Sequence, residues 1–93
     1  MGWTYILECA DGTYYVGATV DLARRLRQHN AGVGARYTSG RRPVKLVYAA
    51  QFPSLGEAYR WERQLHSWGR AKREALIREN LGTLPSLTSA SLG

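Results

Sequence analysis

Two β-rich runs flank an Asp-Gly pair at the start of the chain and leave few ways to begin a fold. Residues 3–8 read Trp-Thr-Tyr-Ile-Leu-Glu and residues 13–18 read Thr-Tyr-Tyr-Val-Gly-Ala. Both are rich in the β-branched and aromatic side chains that fit a pleated surface. Asp11-Gly12 between them is a tight-turn signal, because glycine accepts a positive φ without steric cost. The three pieces together predict a hairpin. Gly17, late in the second run, marks a bulge or a close approach to the backbone.

The rest of the chain alternates helix and strand signals. Asp21 can cap a helix running to about Asn30, with Leu22 and Leu26 as its apolar stripe and Gly32 as its stop. Residues 31–43 hold three glycines and three arginines and predict a flexible basic loop. Residues 44–50 are a third strand. Ser54-Leu55-Gly56-Glu57 fits a capping box, and Ala58, Trp61, Leu65 and Trp68 follow at helical spacing until Gly69. A last helix covers about 70–80, and the uncharged stretch from Leu81 to Gly93 reads as a frayed tail. Ninety-three residues make one small α+β domain over 1–80, followed by a flexible tail at 81–93.

Composition removes several classes. The longest apolar runs are far short of the roughly 20 residues a spanning helix needs. No basic-then-apolar leader opens the chain, so a cytoplasmic location and no membrane partner are expected. The single cysteine, Cys9, can form neither an internal disulfide nor a thiolate zinc site.

Charge points the other way, toward a polyanion. Thirteen Lys+Arg against seven Asp+Glu give a net +6. Between Asp21 and Glu57 there is no acidic residue, while Arg24, Arg25, Arg27, Arg36, Arg41, Arg42 and Lys45 fall in that stretch. Arginine's planar fork suits phosphate. A solvated basic face is the plainer reading, and a nucleic-acid partner is the sharper one.

Five residues stand out for chemistry. Tyr5 and Tyr15 fall on neighbouring strands of the hairpin, as ordinary strand aromatics or as phenols that orient water and move protons. Arg25 borders the stripe of the first helix, where it either covers apolar surface with its stem or steadies charge on a phosphate. His29 shares its face four residues on, and a histidine near a helix C-terminus is also favoured by the dipole. Glu62 is a fifth, different case: four past Ala58 and three before Leu65, it is expected among buried residues. A buried carboxylate needs a partner, either an arginine or a hard divalent cation.

The ordered set resembles one family. Trp3-Thr4-Tyr5, Tyr15-Val16-Gly17, the helix from Asp21 to Asn30, Tyr37-Thr38-Ser39-Gly40-Arg41-Arg42-Pro43 and Glu62 on a later helix are similar to the GIY-YIG nuclease domain, and within it to its small single-domain bacterial members. The resemblance covers about residues 3–80. It implies a three-stranded antiparallel sheet flanked by helices and metal-assisted cleavage of phosphodiester bonds, with Mg2+ or Mn2+ as cofactor. It implies catalytic roles for Tyr5, Tyr15, Arg25 and His29, metal binding by Glu62, and a supporting role for Asn80. Gly17, Arg24, Arg36, Tyr37, Arg41 and Arg42 are expected on the nucleic-acid side, with DNA favoured over RNA and repair or processing as the setting.

On this reading Arg25 lowers the pKa of the tyrosine that acts as general base, Tyr5 or Tyr15. The first half-motif keeps only its tyrosine, and Ala18 and His66 stand where lysines occur in relatives. A partner protein is expected to supply specificity. Two rival readings are a non-catalytic nucleic-acid-binding module and an adaptor that docks through Trp61, Trp68 and the tail.

Overall fold

The computed structural model describes residues 1–85. The hairpin forms as its turn chemistry requires. Strands β1 (Gly2–Glu8) and β2 (Tyr14–Thr19) pair antiparallel, with Tyr5 opposite Gly17 and Leu7 opposite Tyr15. Gly12 takes φ +86°, and the Asp11 carboxylate accepts hydrogen bonds from the Thr13 N–H and hydroxyl. Strand β3 (Lys45–Phe52) pairs antiparallel on the other side of β1, giving the order β2-β1-β3. The register shifts by one residue between Ile6 and Leu7, which oppose Tyr48 and Leu46, so Val47 is an extra bulged residue.

Helices cover both faces of the sheet. Helix α1 (Leu22–Asn30) is capped by Asp21, whose side chain accepts from the Arg24 N–H, and it packs Leu22 and Leu26 with Tyr5, Leu7, Cys9 and Val44. Gly32, at φ +85°, follows its end. The stretch expected to be a flexible loop contains a further short helix, α2 (Arg36–Ser39). Its formation follows from tertiary fixing: Thr38 is fully buried, so the turn is held by what it packs against and not by propensity.

Helix α3 (Leu55–His66) opens on the predicted capping box. The Ser54 hydroxyl accepts from the Glu57 N–H and donates to the Glu57 carboxylate. Its residues Ala58 and Leu65 are fully buried on the opposite sheet face, where Leu65 joins Ile6, Val16 and Tyr48 in one core. The buried Thr4 hydroxyl donates to the Ala58 carbonyl at 2.6 Å and ties α3 to the central strand. Helix α4 (Arg70–Glu79) adds Ile77 to that core, and a single 3-10 turn follows at Leu81–Thr83. Most of the predicted tail, residues 86–93, lies outside the described residues.

Candidate active site

The face of the sheet under α1 carries a line of hydrogen bonds that begins on the central strand. The Tyr5 hydroxyl lies 2.9 Å from Nε2 of His29, and His29 Nδ1 lies 2.8 Å from the Thr38 hydroxyl. Thr38 in turn donates to the Ala35 carbonyl at 3.2 Å. That last bond uses the only proton Thr38 has, so His29 Nδ1 carries the proton given to Thr38 and Nε2 is left as acceptor. Tyr5 is therefore the donor to His29. All three side chains are buried, His29 and Thr38 fully and Tyr5 with 1% of its surface exposed.

Two glycines make room for this line. A Cβ on Gly17 would stand 2.5 Å from the Tyr5 hydroxyl oxygen, and a Cβ on Gly34 would stand 2.7 Å from His29 Nδ1. Gly17 was expected on the nucleic-acid side; the structure buries it beneath the Tyr5 phenol instead. The reading of a close backbone approach accounts for its position.

Burial sets the protonation states. It pushes the Tyr5 phenol up to about 12, against the pull of the nearby Arg25 guanidinium. This reverses the expected lowering of that phenol: one flanking cation does not offset the desolvation of a tyrosinate. Burial and then the Arg25 charge push His29 down to about 4, so the imidazole is neutral near pH 7. A helix-end histidine held by the dipole would move the other way.

Tyr15 completes the patch. Its ring centroid lies 5.1 Å from that of His29, 6.4 Å from Tyr5 and 5.9 Å from Tyr37. Arg25 is half-buried and donates to the Gln28 side chain at 3.1 Å. It lines an open cleft of about 330 Å³ between α1 and α3, together with Arg24, Leu55 and Tyr59.

Glu62 does not line that cleft but an adjoining hollow. Tyr59, which lines the cleft, also lines a smaller hollow of about 220 Å³ with Glu62, Arg63 and His66. The carboxylate is close enough for its charge to raise the Tyr5 pKa. Its expected burial is not found: the Glu62 side chain is 23% exposed, and its side-chain partner among the described residues is His66 at 3.4 Å, not an arginine. Its position beside the cleft, at the margin of the buried stripe, explains the difference. No group of three or more His, Cys, Asp or Glu side chains converges among the described residues. Glu62 thus offers a single hard oxygen donor with open space around it, a donor set that suits Mg2+ or Mn2+ completing its shell with waters and phosphate.

The remaining predicted residues divide. Arg24, Arg36 and Arg42 are exposed. Arg41 is pinned to the Asp11 carboxylate at 3.0 Å, donates to the Tyr37 carbonyl and lies over the Tyr37 ring at 4.1 Å. Arg42 donates to the carbonyls of Ser39 and Asn30 and has no carboxylate partner among the described residues. Asn80 is not brought to the tyrosines: its side chain donates to the Leu76 carbonyl and closes the end of α4.

Thr38, Gly34 and Tyr59 were not singled out from the sequence. The burial of His29 had a signal, since it stands seven after Leu22 and three after Leu26, on the stripe itself. Tyr59 also had one, lying three before Glu62 on the same helix face.

The whole constellation lies within residues 1–75, and those residues match the model of the GIY-YIG catalytic domain. The chain belongs to the GIY-YIG family. A UPF0213 protein of Halobacterium salinarum is 50% identical over 77 residues, which are 83% of this chain and the full length of that protein. A UPF0213 protein of Halalkalibacterium halodurans is 44% identical over 89 residues, 96% of this chain and 95% of its own. The solution NMR structure of the UPF0213 protein from Bacillus halodurans superposes with a TM-score of 0.58 at 46% identity, covering 88% of each chain. An E. faecalis protein solved by NMR gives 0.57 at 35% identity over 83% of this chain and 82% of its own.

The three-stranded antiparallel sheet with flanking helices is therefore the GIY-YIG fold, which is generally a nuclease fold and suggests nucleic-acid binding. Among the described residues no helix is long and apolar enough to cross a membrane.

Proposed function

We propose that this chain is an endonuclease that hydrolyses phosphodiester bonds of nucleic acid, DNA before RNA, in repair or processing, with Mg2+ or Mn2+ held by Glu62. One observation carries the reading: the hydrogen-bonded line Tyr5–His29–Thr38 ends beside Arg25, within charge range of Glu62. A binding module has no use for a neutral histidine poised to accept a phenol's proton, or for an open carboxylate that repels phosphate.

The line gives Tyr5 a way to act as a base without first becoming a tyrosinate. The attacking water's oxygen bonds to phosphorus as the bond to the leaving sugar oxygen breaks, while the water passes a proton to the Tyr5 oxygen and Tyr5 passes its own to His29 Nε2. His29, briefly imidazolium with Nδ1–H still donated to Thr38, returns the proton through Tyr5, and the leaving oxygen takes a proton from solvent. Tyr15 flanks the same spot and orients the water. Arg25 steadies the charge that builds on the phosphoryl oxygens. A divalent cation on Glu62 would supply Lewis-acid polarisation of the phosphate. Arg24, Arg36 and Arg42 hold the nucleic-acid backbone without reading its sequence, so a partner protein supplies specificity.

The test is cleavage by the purified chain of supercoiled plasmid, single-stranded DNA, branched duplex and structured RNA. Each is run with Mg2+, Mn2+ or chelator, beside Glu62→Gln and Arg25→Ala. Metal-dependent cutting that both variants lose is the expected result. Binding without cutting on every substrate overturns the proposal.

A further inference from the structure

The cleft beside Arg25 and the hollow beside Glu62 have one lining residue in common, Tyr59. It stands on the face of α3 that runs Leu55, Tyr59, Glu62, His66, at steps of three and four residues, with Arg63 four past Tyr59 beside it. Its neighbours Ala58 and Trp61 turn toward the sheet, Ala58 fully buried and Trp61 packed on the core. Tyr59 instead leaves 49% of its surface to solvent, between the cations Arg24 and Arg25 on one side and Arg63 on the other. A large aromatic ring left in water at the middle of a cationic cleft, one helical turn from a carboxylate, is a stacking platform without its partner.

We infer that Tyr59 stacks an unpaired base adjacent to the phosphate at Glu62, so that the substrate is a strand whose base beside the cut is single-stranded or turned out of the helix. The inference rests on the nuclease reading and narrows its substrate class. A base inside a duplex already stacks on both faces and offers no free face to a protein ring. A base released from pairing offers one, and its phosphates meet Arg24, Arg25 and Arg63. Because every base has such a face, the contact selects for an unpaired nucleotide and not for a sequence. The His29 line does not include Tyr59, so loss of the ring acts on binding.

The experiment measures fluorescence anisotropy of a labelled DNA oligonucleotide in chelator, as a single strand and as the paired duplex, with the wild type, Tyr59→Ala and Tyr59→Phe. Removing the ring is expected to weaken single-strand binding about tenfold and duplex binding less than about twofold. Tyr59→Phe, which keeps the ring, is expected to bind the single strand as the wild type does.

Equal weakening of both forms by Tyr59→Ala, or no weakening of either, overturns the inference. Cleavage is scored separately in Mg2+. An intact strand preference without cutting would sink the nuclease reading alone, and cutting that Tyr59→Ala leaves equally fast on single-stranded and paired DNA would sink this one alone.

Discussion

The Tyr5 phenol lies across Gly17, with its oxygen 2.5 Å from where a Cβ on that glycine would stand. The two residues face each other across β1 and β2. Gly17→Ala must therefore push the phenol away from His29 or spread the strands. Overpacking of this kind costs about 1–3 kcal/mol. Thermal or urea unfolding should show that loss, and cleavage should fall with it. Gly34→Ala, aimed at the His29 ring from the other side, should give the same paired outcome.

Thr38 separates position from chemistry. Thr38→Val keeps the shape but leaves the His29 Nδ1–H without its acceptor, at a cost of about 1–3 kcal/mol for a buried group. It also frees the imidazole to change tautomer. Thr38→Ser keeps the hydroxyl and should restore both stability and cleavage. If the serine variant is as poor as the valine one, Thr38 matters for packing alone. The ¹⁵N chemical shifts of the His29 ring report the tautomer directly.

Stability should fall on both sides of neutrality, for opposite reasons. His29 is pushed from the ordinary 6.5 to about 4, so the unfolded chain binds a proton that the folded chain refuses. Its contribution is fully present above about pH 6.5 and is lost as pH falls toward 4, by on the order of 3 kcal/mol. Tyr5 is raised from 10.0 to about 12, so its contribution is present below pH 10 and is lost as pH rises through 12, by a similar amount. Urea melts across pH should show His29→Gln flattening the acid limb and Tyr5→Phe the alkaline one.

Glu62→Gln tests the carboxylate apart from the fold. The side chain is 23% exposed and its side-chain partner among the described residues is His66 at a long 3.4 Å, so stability should change by less than about 0.5 kcal/mol. Metal-dependent cleavage should drop by on the order of 10²-fold or more. An equal loss of stability and activity would mean that Glu62 is structural.

Local chemistry made the elements legible. The Asp11-Gly12 turn, the Asp21 cap, the Ser54–Glu57 box and the stop at Gly32 act between neighbours in the chain, and each forms where the sequence places it. Tyr5, Tyr15, Arg25 and His29 could be found for the same reason, since a hairpin and one helix carry them. Thr38 and Gly34 could not. They reach His29 because residues 31–43 fold back over α1, and no periodicity records such a return. The pairing of Arg41 with Asp11 is hidden likewise, being thirty residues apart. Glu62 was misplaced in depth because a helix net gives direction but not where the neighbouring helix stops covering it.

The Asn30 side chain offers Val44 both halves of an amide pairing, donating to its carbonyl at 3.3 Å and accepting from its N–H at 2.8 Å. This clasp joins the end of α1 to the approach to β3, so the segment between them is a closed ring with fixed feet. The ring carries Arg36 and Arg42 on its outside and Thr38 on its inside. The outer arginines and the hydroxyl that positions the imidazole thus belong to one closed segment of chain. Under the proposed function, the arginines that would hold a backbone and the hydroxyl that orients His29 share one pair of anchors.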